Sequence, residues 1–162
     1  MKEIQKTKYP FGLLFLSMIL CLMPAFRSKH LDEMRDIDVN GVNIVYQIKG
    51  KKGAKPVILL HGNGGEHDHL SVMVEQLDSA GYLVYALDSR GQGANAPLLE
   101  YHYVDMAEDV YAMMQELDIE RPAIFGWSDG GNIALQMGSN DSMYVVTATV
   151  TNIATQQPAK NV

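Results

Sequence analysis

One short segment of the sequence places a serine among closely spaced glycines. It reads Gly126-Trp127-Ser128-Asp129-Gly130-Gly131 and satisfies the pattern G-x-S-x-G. Between a strand and a helix, this pattern is typical of nucleophilic catalysis, because the tight turn lifts the serine hydroxyl above the edge of the sheet. The positions two residues before and after the serine must be small, since strand and helix backbones crowd there. Ser128 is therefore the candidate nucleophile.

A second glycine-rich segment, His61-Gly62-Asn63-Gly64-Gly65, could stabilise the negative charge that a serine nucleophile creates. Glycines let several backbone N–H groups point at one spot. One N–H from this segment and the N–H of Asp129 would together form an oxyanion hole. The dipole of a helix starting after Ser128 would favour the same charge. A phosphate-binding loop is the alternative, but the sequence has no G-x-x-x-x-G-K-[ST] pattern to support it.

Alternating strand and helix patterns must position these two segments. Apolar and polar residues alternate from Ile37 to Ile48 around an Asn40-Gly41 pair, which predicts a hairpin with a tight turn. Short continuous apolar runs predict buried strands at 57–60, 82–87, 123–125 and 144–150. Apolar residues at helical spacing predict helices at 70–81, 103–117 and 130–137.

This order of elements predicts an α/β fold. A hairpin followed by alternating strands and helices favours a mostly parallel sheet with an N-terminal antiparallel hairpin and helices on both faces. In such sheets, ligands bind outside the carboxyl ends of the strands. The loops after Leu60, Leu87 and Phe125 are therefore where we expect the functional residues, and both glycine-rich segments lie in them.

Length and composition limit the remaining possibilities. The chain has 162 residues, 13 of them basic and 19 acidic, for a formal net charge of −6. That length accommodates one domain with a substantial core. The acidic balance argues against a nucleic-acid partner, which usually selects a basic surface. A hydrophobic content of 47% excludes a disordered chain, and a single cysteine excludes an internal disulfide framework.

Residues 1–26 form a separate N-terminal segment. Three lysines precede an uncharged stretch from Tyr9 to Phe26, and Pro24-Ala25 lies near its end. This arrangement predicts a signal peptide for export to the periplasm or the extracellular space. A membrane anchor formed by residues 9–26 and a buried core helix are the alternatives. A lipoprotein signal at Cys21 is disfavoured by the bulky Leu20 before it. The folded domain is expected to occupy residues 36–162.

Three loops taken together resemble the α/β-hydrolase superfamily. They are H-G-N-G-G, D-S-R-G-Q-G and G-W-S-D-G-G, in that order and spacing, and the likeness covers residues 37 to about 151. The resemblance implies a serine hydrolase acting on an ester, thioester or related small acyl substrate. It implies Ser128 as nucleophile, with the backbone N–H groups of Asn63 and Asp129 as oxyanion hole, and neither cofactor nor metal. Branches of the superfamily that place aspartate at the elbow, such as epoxide hydrolases, are not expected.

The sequence departs from this family after the nucleophile. The superfamily order is serine, then aspartate or glutamate, then histidine. After Ser128 the only carboxylates are Asp129 and Asp141, and the last histidine is His102. We therefore expect an α/β-hydrolase fold truncated before its C-terminal strands, with little activity of its own. Loss of the base costs a serine hydrolase on the order of a millionfold in turnover.

Other polar residues near the predicted site have weaker claims. A dyad of Ser128 with His61 or His102 is one possible substitute for the missing base, although a structural role is the simpler interpretation of His61. Asp88 and Arg90 are expected to form an ion pair or to brace their loop. His67 and His69 are expected to be solvated. A metal site is the alternative for these histidines with nearby carboxylates, but their spacing matches no established metal pattern. The residues concerned are His61, Glu66, His67, Asp68 and His69.

Three hypotheses about function follow. The first is the N-terminal piece of an exported serine hydrolase. The second is a non-catalytic remnant domain that binds a small molecule in the same pocket. The third is a half that pairs with another chain, which supplies the acid and the base.

Overall fold

A computed structural model describes residues 28–140, 145–149 and 159–160. The strands are β1 (His30–Val39), β2 (Val42–Lys51), β3 (Pro56–Leu60), β4 (Leu83–Leu87), β5 (Glu100–Tyr101), β6 (Ala123–Trp127), β7 (Val145–Thr149) and β8 (Ala159–Lys160). The helices are α1 (Ser71–Ser79), α2 (Tyr103–Glu116) and α3 (Asp129–Asn140), and a 3-10 turn, His67–Leu70, precedes α1.

One mixed sheet organises the chain. Its six strands lie in the order β1-β2-β4-β3-β6-β7, while β5 and β8 pair separately. Strands β1, β2 and β4 pair antiparallel, and β4, β3, β6 and β7 pair parallel. Parallel pairing brings the carboxyl ends of β3, β4 and β6 to one edge, so the three predicted loops leave the sheet together. The predicted α/β class is confirmed.

The N-terminal hairpin is longer than the sequence pattern predicts. Its turn is at Asn40 and Gly41, both with positive φ (49° and 78°), as a tight hairpin turn requires. Strand β1, however, begins at His30, before the expected domain start at residue 36. The charged first half of β1 pairs with β2 in the same antiparallel register as the second half. Lys49 Nζ of β2 also contacts Asp32 Oδ2 of β1 at 3.0 Å. Those charges concealed the strand in the sequence.

Helices cover both faces of the sheet, as predicted. The larger core cluster packs apolar residues of α2 and α3 on strand residues such as Ile58 and Leu60. The smaller cluster packs Leu70 of the 3-10 turn and Val74 of α1 on alternate residues of the same strands, including Leu59. A strand buried on both faces reads as a continuous apolar run, which explains the patterns that predicted β3 and β4.

Several element boundaries differ from the predictions by a few residues. Strand β6 continues through Gly126 to Trp127, and α3 begins at Asp129, so only Ser128 separates them. Of the strand predicted at 144–150, the structure describes 145–149. The predicted signal or anchor at residues 1–26 lies outside the described residues. Among the helices of the described part, none has the length and apolar character needed to cross a membrane.

A buried ion pair ties the β4 loop to α2. The guanidinium of Arg90 donates to both carboxylate oxygens of Asp109, at 2.5 and 2.6 Å. Asn40 at the hairpin turn donates its Nδ2 to the same carboxylate at 3.1 Å. The prediction that Arg90 could pair with Asp88 is wrong, because α2 presents Asp109 to Arg90 across the sheet edge. Arg90 nevertheless braces its loop.

We expect Arg90→Met to lower the free energy of unfolding by about 3–5 kcal/mol, because it leaves a buried carboxylate without its charge partner. The matched variant Lys55→Met removes an exposed cation and is expected to cost less than about 0.5 kcal/mol. Urea denaturation followed by circular dichroism measures both. Equal unfolding midpoints for the two variants would contradict the structural role of Arg90.

Candidate active site

Ser128 is the single residue between β6 and α3, and its backbone adopts the left-handed region. Its φ is 55°, a conformation that costs a residue with a Cβ roughly 1–2 kcal/mol. The carbonyl oxygen of Ser128 accepts from the N–H of Gly131 at 2.9 Å and from Asn132 at 3.3 Å, so α3 begins directly at the turn. The chain therefore makes the sharp strand-to-helix reversal that the G-x-S-x-G pattern predicts.

The glycines around Ser128 are required by close contacts between backbones. A Cβ on Gly126 would lie 2.0 Å from the carbonyl oxygen of Gly130. A Cβ on Gly130 would lie 2.2 Å from the carbonyl oxygen of Leu60 at the end of β3. Such distances exclude any side chain, so the predicted need for small residues on both sides of the serine is confirmed.

The same packing brings the first glycine-rich loop to the serine. A Cβ on Gly62 would lie 3.2 Å from the Cβ of Ser128 and 3.3 Å from the ring of Trp127. The loop after β3 and the turn after β6 are thus in direct contact. Because Asn63 follows Gly62 and Asp129 follows Ser128, the two predicted oxyanion residues flank this contact.

Side chains from other loops hold the Asn63 segment. The Tyr101 hydroxyl donates to Asn63 Oδ1 at 3.0 Å. The backbone N–H of Gly64 donates to Gln92 Oε1 at 2.6 Å. Tyr101 and Gln92 are both buried, so they provide fixed anchors for an exposed loop. Neither role was predicted from the sequence; the glutamine in D-S-R-G-Q-G is the signal that points to Gln92.

The side chain of Asp129 is engaged by α2. Tyr103 shares a hydrogen bond with the Asp129 carboxylate, and burial together with that bond raises the pKa of Tyr103 to about 12. Tyr103 is therefore a neutral donor at ordinary pH. The Asp129 side chain is thus directed to Tyr103, and its backbone N–H is the group that remains a candidate for the site. No pattern in the sequence marked Tyr103 for this role.

His61 is a structural residue, and its ring is fully used. It is 1% exposed. The Ser89 N–H donates to Nε2 at 3.0 Å, so the proton sits on Nδ1, which donates to the Gly62 carbonyl at 2.7 Å. Burial lowers the pKa of the imidazole, which keeps it neutral. With both nitrogens bonded to backbone, His61 is not available as a base for Ser128.

His102, the other histidine considered as a partner for Ser128, is exposed at the start of α2.

Asp88 is a buried brace for two loops. Its carboxylate accepts from the backbone N–H of His67 at 2.6 Å, from the His67 ring at 2.9 Å and from the N–H of Ala94 at 2.8 Å. The predicted bracing role of Asp88 is confirmed. The prediction that His67 is solvated is wrong, because this carboxylate holds its ring, whose side chain is 15% exposed. Across residues 28–140, 145–149 and 159–160, no three metal-ligating side chains come together.

We expect Ser128→Gly to be more stable than Ser128→Ala by about 1 kcal/mol, because glycine adopts positive φ without the Cβ clash. At Gln76, an exposed position inside α1, the order reverses, since alanine is the better helix former by about 1 kcal/mol. Chemical denaturation of the four variants measures both differences. The same order at both positions would contradict the left-handed backbone at Ser128.

The neutral state of His61 makes stability depend on pH. The unfolded imidazole has a pKa of about 6.5, and burial lowers the folded value. The contribution of His61 is therefore complete above about pH 6.5 and is lost as the pH falls. We expect the stability advantage of the wild type over His61→Gln to shrink between about pH 7.5 and about pH 5. Urea titrations at both pH values measure it, and a constant or growing advantage would contradict the buried neutral ring.

Curated proteins with related sequences are enzymes of several kinds. The chain is 34% identical over 114 residues to the dihydrolipoyllysine-residue acetyltransferase component of the acetoin cleaving system of Cupriavidus necator, covering 70% of this chain and 30% of that protein. It is 32% identical over 115 residues to the serine hydrolase BPHL of Homo sapiens, covering 67% of this chain and 39% of that protein. The chain thus spans well under half the length of these relatives.

The fold is shared with solved structures. Epoxide hydrolase A from Mycobacterium thermoresistibile superposes with a TM-score of 0.68 at 23% identity, over 73% of this chain and 39% of that one. Residues 55–159 match the family described as alpha/beta hydrolase fold. That stretch covers most of the chain and contains all three glycine-rich loops. The chain therefore belongs to the α/β-hydrolase fold family.

Proposed function

We propose that this chain carries the nucleophilic half of a serine hydrolase that acts on an ester, thioester or related acyl substrate. The observation that carries the proposal is the left-handed Ser128 between β6 and α3, in contact with the Gly62 loop. A hydroxyl at such a turn is presented above the sheet edge. Membership of a hydrolase family and the likeness to a relative named a serine hydrolase support the same chemistry.

In the proposed reaction, the Ser128 oxygen attacks the acyl carbonyl carbon while a base takes the hydroxyl proton. The carbonyl oxygen becomes an oxyanion, which the backbone N–H groups of Asn63 and Asp129 would bind. Collapse of the intermediate breaks the acyl bond, releases the protonated alcohol or thiol and leaves an acyl-serine, which water then hydrolyses. The bonds from Tyr101 to Asn63 and from Tyr103 to Asp129 would keep the two donors in place.

The base is not one of the histidines whose contacts the structure defines. Both nitrogens of His61 are bonded to backbone, and the His67 ring is held by Asp88. All five histidines of the sequence precede Ser128, whereas the family's base follows the nucleophile. We propose that the acid and the base come from residues outside this sequence.

We also propose that residues 1–26 direct the export of the protein or anchor it in a membrane.

We expect slow, stoichiometric acetylation of Ser128 when the 162-residue chain is incubated with 4-nitrophenyl acetate, with negligible turnover. A serine hydrolase without its base retains only roughly a thousandfold to ten-thousandfold acceleration over water. Mass spectrometry of the proteolysed chain locates the acetyl group. Ser128→Ala is expected to lose the adduct on the peptide that contains position 128.

Ser79→Ala is the matched control, because it removes an exposed hydroxyl at the end of α1. It should acetylate at Ser128 at the wild-type rate. Equal acetylation of exposed serines and Ser128 would contradict a nucleophilic role for Ser128. It would favour the alternative hypothesis of a non-catalytic domain that binds a small molecule or a partner chain.

A further inference from the structure

A cavity lies at the edge of the sheet opposite Ser128. It has a volume of about 290 Å³, and Leu83, at the start of β4, forms part of its wall. Leu83 pairs with Pro56, the first residue of β3, whereas Ser128 follows the carboxyl end of β6. The cavity therefore lies at the amino ends of the parallel strands. Its volume is just below the usual range for ligand pockets, about 300–1,000 Å³.

The mouth of this cavity is cationic in an acidic protein. Lys29, Arg35 and Lys52 line it, although the whole chain has a net charge of −6. Arg35 is already engaged, because its guanidinium donates to Glu33 Oε1 at 2.6 Å. Lys29 and Lys52 have no carboxylate within ion-pair distance among the described residues. Lys49, by contrast, contacts the carboxylates of Asp32 and Glu75. The Glu33 carboxylate interacts with the charge of Lys29, but its hydrogen bond is to Arg35, so both ammonium groups can still contact an anionic ligand.

The inner wall combines apolar surface with two phenols. Leu31 and Leu83 contribute buried aliphatic side chains. Tyr46 and Tyr85 lie side by side, with ring centroids 6.3 Å apart. Burial raises the pKa of both hydroxyls, so they remain protonated. A protonated phenol carries no charge, so its ring adds neutral aromatic surface to the inner wall.

We propose that this cavity binds a small organic carboxylate with an apolar body. The carboxylate would lie at Lys29 and Lys52, and the apolar body would displace water from the aliphatic and aromatic wall. A bare inorganic anion leaves that wall wet, and a neutral apolar molecule leaves the two lysines unused. The combination therefore selects an amphipathic anion. The site does not include Ser128 or the glycine-rich loops, so it is independent of the proposed hydrolase activity.

The test is a calorimetric titration of the full chain with 4-phenylbutyrate, with 4-phenylbutanol as the neutral comparator. We expect the carboxylate to bind more tightly than the alcohol and its affinity to fall as salt is added, because the lysines are exposed and screened. The double variant Lys29→Gln/Lys52→Gln should weaken binding roughly threefold to tenfold. Both lysines are exposed, so the substitutions leave the core intact.

The control is the double variant Lys51→Gln/Lys55→Gln, which makes the same change in net charge at two exposed lysines that do not line the cavity. It should bind like the wild type. Methyl NMR locates the ligand: the signals of Leu31 and Leu83 should shift, and those of Val74 on the other face of the sheet should not. The proposal is overturned by absence of binding, by equal affinity for the alcohol, or by equal weakening in the two double variants.

Discussion

The close approach of three backbones at Ser128 is the constraint on which the rest of the site depends. The carbonyl of Gly130 lies against Gly126, and Gly130 itself lies against the carbonyl of Leu60. No side chain fits at either glycine, so β6, α3 and the end of β3 can meet only with this composition. The left-handed turn at Ser128 follows from that packing. The strained backbone of Ser128 persists because β6 on one side and α3 on the other are held in place by packing.

Buried polar groups carry this arrangement outward to the other loops. The Asp88 carboxylate accepts from the backbone N–H groups of His67, before it in the chain, and Ala94, after it. The His61 ring links the β3 loop to the backbone of Ser89. Arg90 continues the connection to Asp109 in α2. Each of these buried side chains has specific hydrogen-bond partners. Losing a partner would cost stability, because an unpaired polar group is unfavourable in the low dielectric of the interior. The loops at the carboxyl edge are therefore braced against one another, although loops usually vary and move more than the elements they connect.

The two edges of the sheet have different chemical character. The carboxyl edge presents glycine-rich backbone, a serine and neutral hydrogen-bonding side chains. The amino edge presents lysines over a wall of leucine and tyrosine. An antiparallel hairpin makes this second edge, because β1 and β2 extend past the parallel strands and place Lys29 and Lys52 together. The parallel part of the sheet and the hairpin thus build separate sites.

Local sequence patterns were enough to predict the class of fold, the serine and the glycine spacing around it. These features are local: apolar runs, helical periodicity and a short motif describe what each segment does with its own neighbours. The ends of elements also depend on tertiary pairing. The charged first half of β1 has no clear apolar pattern of its own, and its pairing with β2 identifies it as a strand.

Which distant side chains meet depends on the tertiary fold. Arg90 finds Asp109 rather than Asp88, His67 is held by a carboxylate 21 residues away, and Tyr101 reaches Asn63 across 38 residues. Such pairs depend on strand order and helix placement, which bring together residues that no local pattern relates. The same physical reason explains the cationic cavity. Its lysines come from the start of the described chain and from the turn after β2, its tyrosines come from β2 and β4, and the sheet makes them neighbours.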